Sequence, residues 1–391
     1  MRNKWPLGAA LLMAAVNLRL TVAAVPPVLN QVRHTTGLSS TGAGLLTATP
    51  VFCFGLVALA SPRLIRRFSM GPLLSLTLLA VIGGAAVRLV PNIPVLFLGT
   101  VLLGSGIAVG NVLIPGLIKR DFPRRRVLMT ALYSVALSGG ASVTAGLTVP
   151  IEHVLGAGWR LTVALWGIPA VLAVLLWTPH VREESVRGAV PEGTPVAGLW
   201  RDGLAWCVTG FMGLQSFGFY ALLSWLPTIA ESHGVSPAHA GLLLSMASLA
   251  GMCGAFLTPG FERRLRRRGL AVVVCVVLCA AGYTGLLLAP GSATLLWCLL
   301  FGFGQGAPLA LALGYIVARA PDSRHAAQLS TMAQSGGYLI ASAAPFAMGA
   351  LHDATGGWNA PIILLLAALV PMLLTGLVAS QQRHVLAPAG V

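Results

Sequence analysis

One arginine set among apolar residues offers the most chemistry in this chain. Leu11 to Pro27 is apolar enough for a membrane helix except at Asn17 and Arg19. Arg19 stands 15 residues after Lys4 and 14 before Arg33. Along a helix that is about 21–22 Å from either charge, near the middle of a span. A guanidinium at that depth costs about 2.5–3.5 kcal/mol on insertion scales and turns toward a bundle interior or a wet cavity. Its planar fork of donors suits small planar anions. Arg19 is therefore expected to pair with an anionic or strongly electronegative substrate, unless it bonds backbone carbonyls where a helix is broken. Asn17 and Gln215, 198 residues apart, could both hydrogen-bond a ligand, although Asn17 could equally hold helices together. It lies about 200° around an ideal helix from Arg19, so the two cannot both point straight inward. Asn111, Gln305 and Gln334 are further polar residues inside apolar runs, and Tyr133, Tyr220, Trp225 and Tyr338 could form aromatic walls or simply pack. Arg88, three residues before Pro91, is expected near the outer surface with its head snorkelling to water. With Glu262 it is a gating or structural candidate.

The elements that position these groups follow from composition. Of 391 residues 56% are hydrophobic and 9% charged, where soluble domains carry about 25% charged residues. Mean hydropathy is +0.84. At about 20 residues per helical crossing twelve spans fit: 6–31, 39–61, 70–90, 93–118, 126–151, 159–179, 203–230, 237–260, 269–289, 292–318, 325–351 and 357–379. The one long hydrophilic stretch, with Arg182, Glu183, Glu184, Arg187 and Glu192, divides the chain into a bundle at 1–180, a cytoplasmic linker at 181–201 and a second bundle at 202–391. With the N-terminus inside, every one of the 25 Lys and Arg falls on the inner side except Arg33 and Arg160 outside and Arg19 and Arg88 within spans. That asymmetry places both termini in the cytoplasm. The run after Arg2 and Lys4 is too long for a signal-peptide core and is expected to remain as the first span. The formal charge of +15 then belongs to topology and to anionic lipid at the inner face, and no nucleic acid partner is expected.

What is missing narrows the function. All ten acids and all eight histidines fall in loops or at span ends, so no carboxylate or imidazole stands at mid-membrane as a proton relay. A hydrolytic enzyme would need a buried acid, base or metal cluster, and none is visible, so neither an enzyme nor a cofactor is expected. The six cysteines lie in apolar runs and read as buried free thiols.

The two halves repeat. Ala43-Gly44-Leu45-Leu46 matches Ala240-Gly241-Leu242-Leu243, Pro62 matches Pro259, Gly104-Ser105-Gly106 matches Gly302-Phe303-Gly304, and Gly158-Trp159 matches Gly357-Trp358, at offsets of 197 to 199. Two parallel six-span repeats are the architecture of the major facilitator superfamily, with its site near the midplane. The fold class expected is thus all-α: a polytopic membrane protein of twelve helices in two pseudo-symmetric six-helix bundles.

Particular residues sharpen this. Asn17-Leu18-Arg19, Gly44-Leu45-Leu46-Thr47 with Pro50, Arg88, Ile118-Lys119-Arg120-Asp121-Phe122, Ser138-Gly139-Gly140, Trp225-Leu226-Pro227 and the stretch from Gln334 to Pro345 resemble the branch of the superfamily that contains the cyanate transporter and the 2-nitroimidazole transporter. The resemblance runs the length of the chain. It implies a cavity lined by spans one, four, seven and ten. The loop Pro62-Arg63-Leu64-Ile65-Arg66-Arg67 departs from the wider superfamily in lacking an Asp, while Glu262 is kept before Arg263 and Arg264. The Gly-Pro-x-x-Gly-Gly motif of drug/proton antiporters is absent from the fifth span. The function expected is secondary transport of a cyanate-like anion or a nitroimidazole-like polar molecule across the inner membrane, by a monomer using alternating access. The alternatives are efflux of neutral or cationic drugs and a non-transporting membrane receptor.

Overall fold

The computed structural model describes residues 5–185, 196–264, 269–289, 291 and 293–386. Among these residues there are fourteen α-helices and no strand. They are α1 (Trp5–Ala23), α2 (Leu29–Thr36), α3 (Ser40–Arg67), α4 (Met70–Val87), α5 (Ile93–Asp121), α6 (Arg126–Leu155), α7 (Gly158–Leu165), α8 (Ile168–Ser185), α9 (Gly203–Ser232), α10 (Pro237–Arg264), α11 (Leu270–Leu288), α12 (Thr294–Ala318), α13 (Ser323–Thr355) and α14 (Asn359–Ala379).

These make twelve long segments, because α1 with α2 and α7 with α8 each form one interrupted segment. Both interruptions have a backbone cause. Pro26 and Pro27 have no N–H, so α1 cannot continue and the chain tightens into a 3-10 turn at Pro26–Val28. Between α7 and α8 the chain turns at Trp166 and Gly167 just before Pro169. A Cβ on Gly167 would meet the Ala85 Cβ at 2.8 Å. Eleven segments pass on length and hydropathy. The expected span at 325–351 falls in α13, which has 33 residues but is more polar, carrying Gln328, Ser330, Thr331, Gln334 and Ser335. Leu76, Leu98, Leu175 and Leu257 are 61 to 64% exposed; side chains of this kind face lipid in a membrane bundle. The cysteines are free, as expected, but not all buried: Cys253 is exposed on α10 and Cys207 is half-buried.

The chain divides into two compact units. Unit 1 is Met1–Leu38, Leu45–Glu192 and Ser236–Ser245, and unit 2 is Ser39–Gly44, Gly193–Val235 and Met246–Val391. In unit 1, α1 packs on α5, α6 and α8, and α4 packs on α5 and α8. In unit 2, α9 packs on α12, α13 and α14, and α11 packs on α12 and α14. The pairings correspond helix for helix. The sequence repeat extends to single contacts. A Cβ on Gly106 would meet Thr77 O at 2.9 Å, and one on Gly304, 198 residues on, would meet Cys275 O at 3.0 Å. A Cβ on Gly84 would meet Leu103 N at 2.8 Å and one on Gly282 would meet Phe301 N at 2.9 Å, at the same offset. Backbones approach this closely only where the side chain is a hydrogen.

Within unit 2 the first turn of α3 is capped from the far end of α13. Asp353 accepts hydrogen bonds from Ser40 N at 3.0 Å and from Thr41 N and Thr41 Oγ1, each at 2.7 Å. The four leading N–H groups of a helix have no partner inside it, and a carboxylate there also meets the positive end of its dipole. Burial alone would raise the Asp353 pKa, but the bonds from Thr41 and Ser40 outweigh it and hold the carboxyl well below its ordinary value of 3.8. The stability this depressed group adds is fully present above pH 3.8 and is lost as the pH falls below it. Asp353→Ala should therefore lower unfolding stability at neutral pH by about 0.5–2 kcal/mol, the scale of a lost helix cap. The difference from wild type should shrink in thermal melts taken at progressively lower pH.

Candidate functional site

Polar side chains lie inside the long helices of each unit. In unit 1 the break at Pro26 and Pro27 leaves Arg19 in the last two turns of α1. Arg19 is half-buried, and its guanidinium carbon lies 6.0 Å from the centroid of the Phe54 ring of α3. A cation over an aromatic face at that range gains about 0.5–2 kcal/mol. Asn17, fully buried, faces another way. Its Nδ2 donates to Met13 O at 2.8 Å and to Pro169 O of α8 at 3.1 Å. Asn17 thus binds α1 to the broken end of α8, while its Oδ1 is buried with no hydrogen-bond partner. Asn111 on α5 is half-buried with its Nδ2 enclosed and without a partner, and Tyr133 on α6 is half-buried.

Arg88 does not snorkel. It is 3% exposed and turns inward. Its Nε and Nη2 donate to Thr100 Oγ1 at 3.1 and 3.0 Å, and its Nη1 to Thr21 O at 3.3 Å. The reason is local. Gly84 and Gly99 bring α4 and α5 into backbone contact, and the Arg88 stem lies across Gly99, where a Cβ would meet its Cγ at 3.1 Å.

In unit 2, Gln215 is 2% exposed, and its Nε2 donates to Met212 O at 3.0 Å and Ser216 Oγ at 2.6 Å. Gln305 is 5% exposed. It donates to the Tyr283 hydroxyl and keeps an enclosed, unpartnered Oε1. Tyr220 meets Tyr338 edge-on, with ring centroids 6.3 Å apart, and Gln334 donates to Ser330 Oγ at 2.8 Å. Trp225 is fully buried, with its Nε1 bonded to Pro345 O at 2.8 Å and its ring 5.1 Å from that of Trp358, which is core packing. The side chain of Glu262 lies outside the described residues. No group of three or more His, Cys, Asp or Glu placed to hold a metal occurs among the described residues.

Sequence reasoning passed over Phe54, Thr100 and Tyr283. Phe54 and Tyr283 sit in uniformly apolar stretches. Thr100 carried one usable signal, as a hydroxyl in the span that follows Arg88.

Comparisons with known proteins bear on the family and the fold. The family model described as Major Facilitator Superfamily matches residues 7–345. The chain is 38% identical over 386 residues to the 2-nitroimidazole transporter of Escherichia coli (strain K12), covering 98% of each. It is 31% identical over 350 residues to the cyanate transport protein CynX of the same strain, covering 89% of this chain and 90% of that one. Among solved structures, an inward-facing, unoccupied bacterial homolog of the human lysosomal transporter Spinster matches with a TM-score of 0.78 at 18% identity, covering 99% of both chains. That last likeness concerns the fold alone.

Proposed function

Because the chain belongs to the Major Facilitator Superfamily, and is a membrane transporter by that membership, we propose that its cargo is a small anion or a compact polar molecule rich in acceptor atoms. Alternating access carries it across the inner membrane, with Arg19 as the principal binding group. The observation that carries this is the guanidinium seated on Phe54 at 6.0 Å in the middle of the first crossing. A charge at that depth is costly to keep, and such charges serve function by default. The relatives' names fit that chemistry: cyanate is a small anion, and 2-nitroimidazole presents a nitro group whose oxygens accept hydrogen bonds. Asn111 and Tyr133 in unit 1, and Gln215, Tyr220, Gln305, Gln334 and Tyr338 in unit 2, supply the remaining polar and aromatic contacts, while Asn17 and Trp225 support them from the core.

The sequence repeat supports bundles at 1–180 and 202–391, the placing of Lys and Arg supports cytoplasmic termini, and the proposed mechanism needs only a monomer. Moving one negative charge inward against 100 mV costs about 2.3 kcal/mol, so an uncoupled anion runs outward, and export or exchange is the direction favoured. The test is a panel of cyanate, nitrate, small carboxylates and 2-nitroimidazole. Each is assayed at two pH values for thermal stabilisation of purified protein and for flux in proteoliposomes. At least one should stabilise and be carried, and, where that one is an anion, its flux should reverse when the imposed potential reverses. Stabilisation by hydrophobic cations with no response to any of the panel would overturn the proposal.

A further inference from the structure

Three successive residues of α12 meet three other helices of unit 2. A Cβ on Gly304 would come within 3.0 Å of Cys275 O on α11, and one on Gly306 would overlap Gly251 O on α10. Between them, Gln305 donates from Nε2 to the Tyr283 hydroxyl of α11. Gly218 of α9 leaves room for that pair. A Cβ there would overlap Gln305 Nε2 and come within 2.8 Å of the Tyr283 oxygen. Tyr283 is fully enclosed, with its ring 6.0 Å from that of Phe301, so its hydroxyl is a fixed post. It engages one end of the amide. The other end, Oε1, is enclosed with no hydrogen-bond partner among the described residues.

The fold does not require this arrangement. At an offset of 198 residues, unit 1 has Leu20, Ala85 and Ile107 where unit 2 has Gly218, Tyr283 and Gln305. All three are buried, and the helix contacts around them match those of unit 2. An apolar trio thus fills the same junction. Unit 2 places a glycine, a tyrosine and a glutamine there and leaves an acceptor oxygen unpaired, which costs stability unless the oxygen is used. The ladder of α12 is also interrupted at this point. Pro308 has no N–H for the Gly304 carbonyl, so the turn that carries Gln305 is the one at which α12 bends most readily.

We propose that Gln305, oriented by Tyr283 and given room by Gly218, selects cargo by accepting a hydrogen bond from it, so that the cargo carries an N–H or O–H donor beside its acceptor atoms. This rests on the reading of Gln305 as a cargo contact and names the group that it recognises. Cyanate, nitrate and ionised carboxylates bring no such donor, whereas 2-nitroimidazole has a ring N–H while it is neutral. A site with an unpaired acceptor discriminates strongly against an analogue that lacks the matching donor.

The experiment titrates full-length purified protein by thermal shift with 2-nitroimidazole and with its 1-methyl derivative, at a pH where the ring is neutral. Wild type should bind the N–H compound about tenfold more tightly. Gln305→Met is close to glutamine in length and volume but has no amide, and should bind the two compounds alike. That comparison separates a lost hydrogen bond from the bulk of the methyl group. Tyr283→Phe keeps the ring and Gln305 but lets the amide turn, and should reduce the preference to about threefold. It decides the matter if Gln305→Met does not fold. Equal binding of the two compounds by wild type, or a preference undiminished in the folded variants, would overturn the inference. In the second case Gln305 remains a contact if Gln305→Met weakens both compounds together, and is not one if neither affinity changes. Binding of cyanate or nitrate without binding of 2-nitroimidazole would also overturn the inference and leave the reading of Arg19 standing. A protein that responds to nothing in the panel overturns both.

Discussion

Replacing Arg19 with glutamine should abolish anion binding while leaving the protein as stable as before, or more so. The two halves of that expectation have different origins. A charge-assisted hydrogen bond contributes about 1.5–3 kcal/mol, and a guanidinium can make two in parallel to one oxyanion. Loss of the pair should weaken binding by about a hundredfold or more. Glutamine keeps a planar amide of similar reach but no charge. Stability should move the other way, because the wild-type side chain holds a cation at mid-span at a cost of about 2.5–3.5 kcal/mol on insertion scales. A purely structural arginine behaves in the opposite manner, since its loss leaves buried carbonyls unpaired and lowers the melting temperature. Binding and melting curves on the same purified variant separate the cases. Arg19→Lys should fall between, because an ammonium attracts the anion but lacks the fork. Binding by Arg19→Gln equal to wild type would remove Arg19 from the site.

The architecture was legible because it rests on one-dimensional signals. Long apolar windows mark the crossings, and the offset of 197 to 199 between the halves reappears in the structure as paired backbone contacts such as Gly106 on Thr77 and Gly304 on Cys275. The polar side chains were legible as to identity but not as to partner. Asn17 spends its amide on Pro169 O, 152 residues away. That acceptor faces Asn17 where the chain turns at Trp166 and Gly167 between α7 and α8, a turn no hydropathy window registers. Arg88 looked like a surface residue from its distance to Pro91. It turned inward because Gly84 and Gly99 bring α4 and α5 together and the Thr21 carbonyl lies within reach in the last turn of α1, a conjunction of three segments that local pattern does not contain. The cap on α3 comes from Asp353, 313 residues from Ser40. For Arg88 and Asp353 a backbone group left open by a helix end found a side chain far along the chain, while Asn17 shares a carbonyl in the first turn of α8. That bookkeeping is settled only once the helices pack.

Trp225→Ala should be the most destabilising single substitution among the aromatic candidates, at about 3–5 kcal/mol, without a specific effect on cargo affinity in whatever fraction remains folded. The side chain is fully buried and lies in a space that Gly349 leaves open: a Cβ there would come within 3.0 Å of its Cζ2. Truncation empties that space and also strips Pro345 O of the indole N–H at 2.8 Å. Trp225→Phe divides the two contributions. It refills most of the volume and should cost only the hydrogen bond and a small void, about 1–2 kcal/mol. If Trp225 formed a wall of the cargo site, the phenylalanine variant would bind the anion differently while melting almost normally. The packing seen around it requires the reverse, a shifted melting temperature and an unchanged dissociation constant. Tyr338, half-buried and edge-on to Tyr220, is the internal control. Tyr338→Phe keeps the ring contact and removes only a hydroxyl, so it should melt like wild type and alter affinity if that hydroxyl meets the cargo. Melting and titration of the three variants side by side therefore assign each aromatic residue to core or site by which of the two curves moves.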